Sequence, residues 1–150
     1  MDESHEGDPL AVALIGEIIA VEQMARVLLA RSLPKGMEMS HFMVLNHFAR
    51  LGGEKTPAQL ARTFHVTKGA MTNTISRLQA AGYVHVRPDW DDGRRKFVSL
   101  SPAGAQARDQ AAAAITPVFE NIIGTMGSDA VRAALPFLRS LRQHLSLASG

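Results

Sequence analysis

Two threonines eleven residues apart, Thr56 and Thr67, constrain this chain more than any other feature, because each stands directly before a helix-forming run. Thr56-Pro57-Ala58-Gln59 supplies a capping hydroxyl, a proline at the first helical position, where the missing N–H costs nothing, and a glutamine at the third to close a capping box. That helix is short and ends near Phe64. His65-Val66-Thr67 then makes a tight turn, and Thr67 caps the next helix, roughly Lys68 to Ala81, which ends at Gly82 as a left-handed cap. Met71, Ile75 and Leu78 share one face of this second helix at spacings of four and three. Thr72, Asn73, Ser76 and Arg77 point away from that stripe, beside Lys68 and Gly69 in the first turn. Short hydrogen-bonding side chains on an exposed helix face are what a groove-lying helix needs.

The flanking segments complete the plan. Pro9 to about Leu33 reads as a long amphipathic helix with Leu14, Ile18, Val21, Ala25 and Leu28 in register and Ile15, Ile19 and Val27 widening the stripe. Pro34-Lys35-Gly36 stops it. A second helix starts near Ser40, carries Phe42, Val44, Leu45 and Phe48, and ends at Gly52-Gly53. Tyr83 to Arg87 and Lys96 to Leu100 alternate as half-buried strands and pair as a hairpin, with a projecting loop from Pro88 to Arg95 between them. Ser101-Pro102 restarts helix, Pro117 is expected to kink it before Gly124, and Ser128 is expected to cap a final helix with Val131, Leu135, Leu138, Leu141, Arg142 and Leu145 on one stripe and a bend at Pro136. The fold class is therefore mainly α with a small β-hairpin. Composition agrees, since 46% of the residues are apolar but only 5% aromatic.

Charge is unevenly spread. Between Glu54 and Ser101 eight cations face four carboxylates, a net +4, while the remainder sums to −2. With no cysteine, disulfides, thiolate metal sites and thiol redox sensing are excluded. The start, Met1-Asp2-Glu3-Ser4-His5-Glu6, is acidic where a signal peptide would be basic, and Leu10–Val21 is interrupted by Glu17 and too short to span a bilayer, so a cytoplasmic protein is expected.

In order, a short helix, a tight turn, a polar-faced helix and a basic hairpin match the needs of reading a duplex, the helix in the major groove and an arginine-tipped loop in the minor. Leu60 to Thr72, Leu78 to Val84 and Asp92-Gly93-Arg94-Arg95-Lys96-Phe97-Val98-Ser99-Leu100-Ser101-Pro102-Ala103-Gly104 carry a resemblance to the MarR family of bacterial transcription regulators, over nearly the whole chain. The resemblance implies a single domain over residues 1–150, with a winged helix-turn-helix at 40–101 between dimerisation helices at about 9–33 and 102–147. It also implies a homodimer on a pseudo-palindromic site of double-stranded DNA, acting as a repressor, and a small-molecule effector. Carried over by position, Thr67, Lys68, Thr72, Asn73, Ser76 and Arg77 serve the major groove and its phosphates, and Arg94 is the wing-tip arginine, assisted by Arg95 and Lys96. The family often has glycine where His65 stands and a long side chain near Asn73, so groove contacts differ here.

Plainer roles stand beside these. Thr67 caps its helix with or without DNA, and Arg94 is placed to pair with Asp92. The histidines, His5, His41, His47, His65, His85 and His144, show no ligand spacing, so no metal or cofactor is expected. Met37, Met39 and Met43, near His41 and His47, fill core gaps or line a ligand pocket. No nucleophile–base pair, paired acids or phosphate loop marks an enzyme. The competing reading is a winged helix used only for protein contacts.

Overall fold

Caps, glycines and apolar periodicity decide where each element begins and ends. The computed structural model describes residues 9–150, in the order α1 (Pro9–Ser32), α2 (Met39–Leu51), α3 (Pro57–Phe64), α4 (Lys68–Ala80), β1 (Val84–Pro88), β2 (Lys96–Leu100), α5 (Pro102–Met126) and α6 (Ser128–Ser149). The acidic start through Glu6, with His5, lies outside the described residues. Among the described residues, those up to Ala112 form one compact unit and Ala113–Gly150 a second.

Both threonine caps are made. Thr56 Oγ1 accepts the Gln59 N–H at 3.2 Å while Gln59 Oε1 accepts the Thr56 N–H at 2.9 Å, and Thr67 Oγ1 accepts the Ala70 N–H at 3.1 Å. Between them His65 holds left-handed backbone, φ 53° and ψ 44°, the conformation that makes glycine the easier residue at this turn. At the far end of α4, Gly82 takes φ +78°; its N–H donates to the Gln79 carbonyl and the Tyr83 N–H to the Leu78 carbonyl, both at 2.9 Å. This is a Schellman ending. It also explains why β1 starts at Val84 and not at Tyr83, whose N–H is already committed to the helix.

The hairpin is antiparallel, running from Val84↔Leu100 to Pro88↔Lys96. Lys55 adds a one-residue third strand, exchanging backbone hydrogen bonds with Val98 at 3.0 and 2.8 Å. Around this seam the core gathers Val44, Leu45 and Phe48 from α2, Leu60 and Ala61 from α3, Met71, Ile75 and Leu78 from α4, Val84, Val98 and Ala107. Phe48, Leu45, Leu60, Leu78, Val44 and Val98 are less than 2% exposed, and burial of each contributes about 1.5–3 kcal/mol. The core thus fixes α4 by its apolar stripe and leaves its opposite face outward.

One helix start near the C-terminus differs from expectation. α5 runs unbroken through Pro117 and past Gly124 to Met126, and α6 runs through Pro136. Ser128 is the first residue of α6 and not its cap: Gly127 occupies that position at φ 97°, with no side-chain cap hydrogen bond. Glycine's free access to positive φ lets the chain pass from α5 to α6 there without a capping hydroxyl.

Neither α1 nor α6 contains a buried residue. On α1, Leu14, Ile18, Ala25 and Leu28 are half-buried as the stripe requires, but Ile15, Ile19, Val21 and Val27 are exposed. On α6, Leu135, Phe137, Leu138, Leu145 and Leu147 are exposed.

Candidate nucleic-acid interface

The outward face of α4 is built by subtraction. Met71, Thr74, Ile75 and Leu78 face inward, so at 3.6 residues per turn Gly69, Asn73 and Ser76 point opposite. Thr72 and Arg77 fall on opposite flanks of that face, about 140° apart around the axis. Lys68, Thr72, Asn73, Ser76 and Arg77 are all exposed. Thr74 joins the core by donating its hydroxyl to the Ala70 carbonyl at 3.1 Å; that inward threonine is not marked by apolar spacing, since its polarity hides it from a hydrophobic count.

Arg77 is not simply solvated. Its guanidinium donates to Glu38 Oε1 at 3.2 Å across an exposed pair, tying α4 to the start of α2. The same corner holds a cavity of about 280 Å³ whose lining includes Lys35, Met37, His41, Arg77, Tyr83 and Gln110. Of the three methionines, Met37 lines this cleft while also packing on the core, Met39 is half-buried, and Met43 is exposed.

His41 closes the capping box of α2 in an unusual way, its Nδ1 accepting the Glu38 backbone N–H at 3.1 Å. Burial lowers the His41 pKa from its ordinary value, opposed by the Glu38 carboxylate and reinforced by Arg77. His47, edge-on to Phe48 and Phe64, is lowered too, by burial and then by Lys55 and Arg50. Below about pH 6.5 the unfolded chain takes up protons at these positions that the folded chain refuses, so stability falls as pH drops through that value and below. His41→Gln keeps an ordinary capping-box acceptor without the titration. The fall in melting temperature between pH 7.5 and 5.5 is expected to shrink in this variant, with the His47 share remaining; an unchanged fall would remove His41 from the account.

The wing is fastened at its base. Arg87 donates twice to the Glu54 carboxylate, at 2.8 and 2.7 Å, which also lowers the Glu54 pKa. Arg87 lies 4.7 Å over the Phe97 ring and Arg95 5.9 Å from it. Glu54 and Arg87 are 33 residues apart, so no spacing rule exposes them. At the tip Asp92 does not pair with the Arg94 guanidinium: Asp92 Oδ1 accepts the Arg94 backbone N–H at 3.0 Å. Arg94 therefore extends from a hydrogen-bonded turn with its guanidinium unpaired among the described residues. Lys96, like Arg94 and Arg95, is exposed.

Among the described residues no group of three or more histidine, aspartate or glutamate side chains could hold a metal ion, and no helix is long and apolar enough to cross a membrane.

Residues 35–95 match the MarR family. In structure the chain is similar to a MarR mutant from E. coli solved with operator DNA, with 25% identity, coverage of 94% of this chain and 99% of that one, and a TM-score of 0.74. A protein from Pseudomonas aeruginosa described as a probable transcriptional regulator is 26% identical over 85% of this chain and 96% of its own, with a TM-score of 0.71. The organohalide-sensing regulator RdhR-CbdbA1625, solved with 2,4-dichlorophenol bound, is 22% identical, covers 97% of this chain and 87% of its own, and superposes at a TM-score of 0.78, a likeness of fold.

Proposed function

We propose, on the match of residues 35–95 to the MarR family and the likeness of the fold to MarR, a cytoplasmic, non-enzymatic regulator of transcription that binds double-stranded DNA sequence-specifically as a homodimer. The observation that carries this reading is the outward face of α4: Lys68, Thr72, Asn73 and Ser76, all exposed, stand on a helix whose other face is locked into the core. Asn73 and Thr72 carry side chains suited to base edges in the major groove. Lys68 and the helix start at Thr67 suit the flanking phosphates. Arg77, drawn aside by Glu38, serves a phosphate at the flank of the face. Arg94 fits a minor groove, with Arg95 and Lys96 beside it.

The dimer reading is supported by α1 and α6, two long helices without a fully buried residue that display apolar side chains. Residues 1–150 would then act as one domain, and two copies would set their α4 helices in successive major grooves about 34–36 Å apart, on a two-fold site whose occupation blocks a promoter. The MarR protein of E. coli bound to operator DNA is the relative that lends this reading most weight. A small-molecule effector in the cleft beside His41 would touch the recognition helix through Arg77 and Leu78, and would act only so far as it binds the DNA-competent and incompetent states unequally.

The test is selection of duplexes from a random pool at two salt concentrations. Enrichment of a pseudo-palindrome, with retention falling steeply as salt rises, is the expected result. Retention without enrichment, or none, would favour a winged helix that docks on protein.

A further inference from the structure

Trp90 is the only tryptophan in the chain, and at 82% exposure it is the most exposed large apolar side chain of the described residues. A lone exposed apolar residue needs no explanation on most surfaces. Its setting is what distinguishes this one. Trp90 sits at the tip of the wing, in a turn held by four hydrogen bonds: Asp89 N–H to the Arg95 carbonyl, Arg95 N–H to the Asp92 carbonyl, Asp91 N–H to Asp89 Oδ1 and Arg94 N–H to Asp92 Oδ1, each 3.0 Å. The indole is therefore presented on an ordered support, four residues from Arg94.

Charge decides what this tip offers a duplex. From Pro88 to Lys96, three carboxylates (Asp89, Asp91, Asp92) offset three cations (Arg94, Arg95, Lys96). Arg87 is spent on Glu54, and Arg95 leans toward the Phe97 ring. The loop has no net charge with which to hold phosphate, so Arg94, the exposed Lys96 and one indole are its remaining means of attachment. Asp89 and Asp92 turn a carboxylate oxygen back onto the loop's own N–H groups, which leaves Trp90 room to approach the polyanion.

We propose that Trp90 is a DNA-contacting residue, its indole packing on the deoxyribose walls of the minor groove beside Arg94 and supplying a salt-independent part of the affinity. This rests on the DNA-binding reading above. Minor-groove proteins already use apolar side chains, phenylalanine among them, as wedges between base steps, and an indole brings a large contact area with few torsions to freeze.

The experiment uses the full chain and a fluorescein-labelled mixed-sequence duplex roughly three helical turns long, read by anisotropy across a salt series, with Trp90 emission followed in parallel on unlabelled duplex. Emission is expected to change in step with binding. Trp90→Ala is expected to lose about ten-fold in affinity with the slope of log K against log salt unchanged, and Trp90→Phe to keep most of that affinity. Arg94→Ala, in contrast, should lower the slope by about 0.9. Binding with Trp90 emission constant and Trp90→Ala at full affinity would overturn the proposal and leave the DNA-binding reading standing. A slope change in Trp90→Ala equal to that of Arg94→Ala would also overturn it, since the loss would then be ionic. Emission that depends on protein concentration without DNA would assign the indole to a second copy of the chain. No anisotropy change with any variant, at any salt, would overturn the DNA-binding reading itself.

Discussion

Gly104→Ala is expected to melt roughly 6–12 °C below the unsubstituted protein, a loss of about 3 kcal/mol, although helix propensity alone argues for a gain of up to about 1 kcal/mol. Gly104 lies in the first turn of α5, where a Cβ would come within 1.9 Å of the Tyr83 carbonyl oxygen, 2.8 Å of its carbon and 2.9 Å of Leu100 Cδ1. The first two are backbone atoms, so no rotamer change relieves them. Nor is that carbonyl free to withdraw, because it accepts the Ser101 N–H at 3.0 Å, and Ser101 is itself fixed by donating its hydroxyl to the Gly82 carbonyl at 2.6 Å while accepting the Gly104 N–H at 3.0 Å. Overpacking against such a junction costs about 1–3 kcal/mol and sometimes more, which outweighs the propensity term. Gly69→Ala, where a Cβ meets nothing within 4 Å, is the control and should melt at or slightly above the parent. Thermal unfolding of the two variants side by side checks the assignment; equal melting temperatures would show that α5 shifts off β1 without cost.

The junction at Gly104 illustrates where the sequence stops being legible. Local rules reach as far as local hydrogen bonds do: the capping box at Thr56, the cap at Thr67, the left-handed glycine at 82 and the alternation of Lys96–Leu100 are all readable, because each is decided within a few residues. Gly104 was readable only as part of a family-like stretch, since its reason is a carbonyl twenty-one positions earlier. The candidate site divides the same way. The outward residues of α4 follow from the inward ones by helical geometry, but the pairing of Arg77 with Glu38 and of Arg87 with Glu54 joins positions 39 and 33 residues apart, and no periodicity signals it. Arg94 and Asp92 show the opposite error. Adjacency suggested an ion pair between side chains, whereas the short aspartate reaches the backbone N–H two residues on more easily than a long guanidinium. Ser128 is not a cap because it is already helical: Gly127 holds the cap position at φ 97° and offers no side-chain acceptor.

Leu138→Glu is expected to convert the proposed homodimer to monomers at micromolar concentration and to weaken binding to a two-half-site operator by about 10²–10⁴, the factor lost when two linked contacts become one. The argument rests on two different costs for one substitution. In an isolated chain Leu138 is 52% exposed on a helix with no buried residue, and a surface change of this kind moves stability by no more than about 0.5 kcal/mol. Within an apolar seam between two copies, an unpaired carboxylate must be desolvated at a cost of several kcal/mol, and a two-fold axis imposes it twice. Monomer helicity should therefore survive while association fails. Leu138→Met, which keeps volume and apolarity, should leave both association and operator affinity close to the parent. Sedimentation and operator titration on the three proteins separate the cases. If Leu138→Glu still sediments as a dimer, α6 is not the seam, and the exposed row on α1, Ile15, Ile19 and Val27, becomes the surface on which the copies must meet; if it sediments as a folded monomer yet binds the operator undiminished, DNA recognition needs only one winged helix.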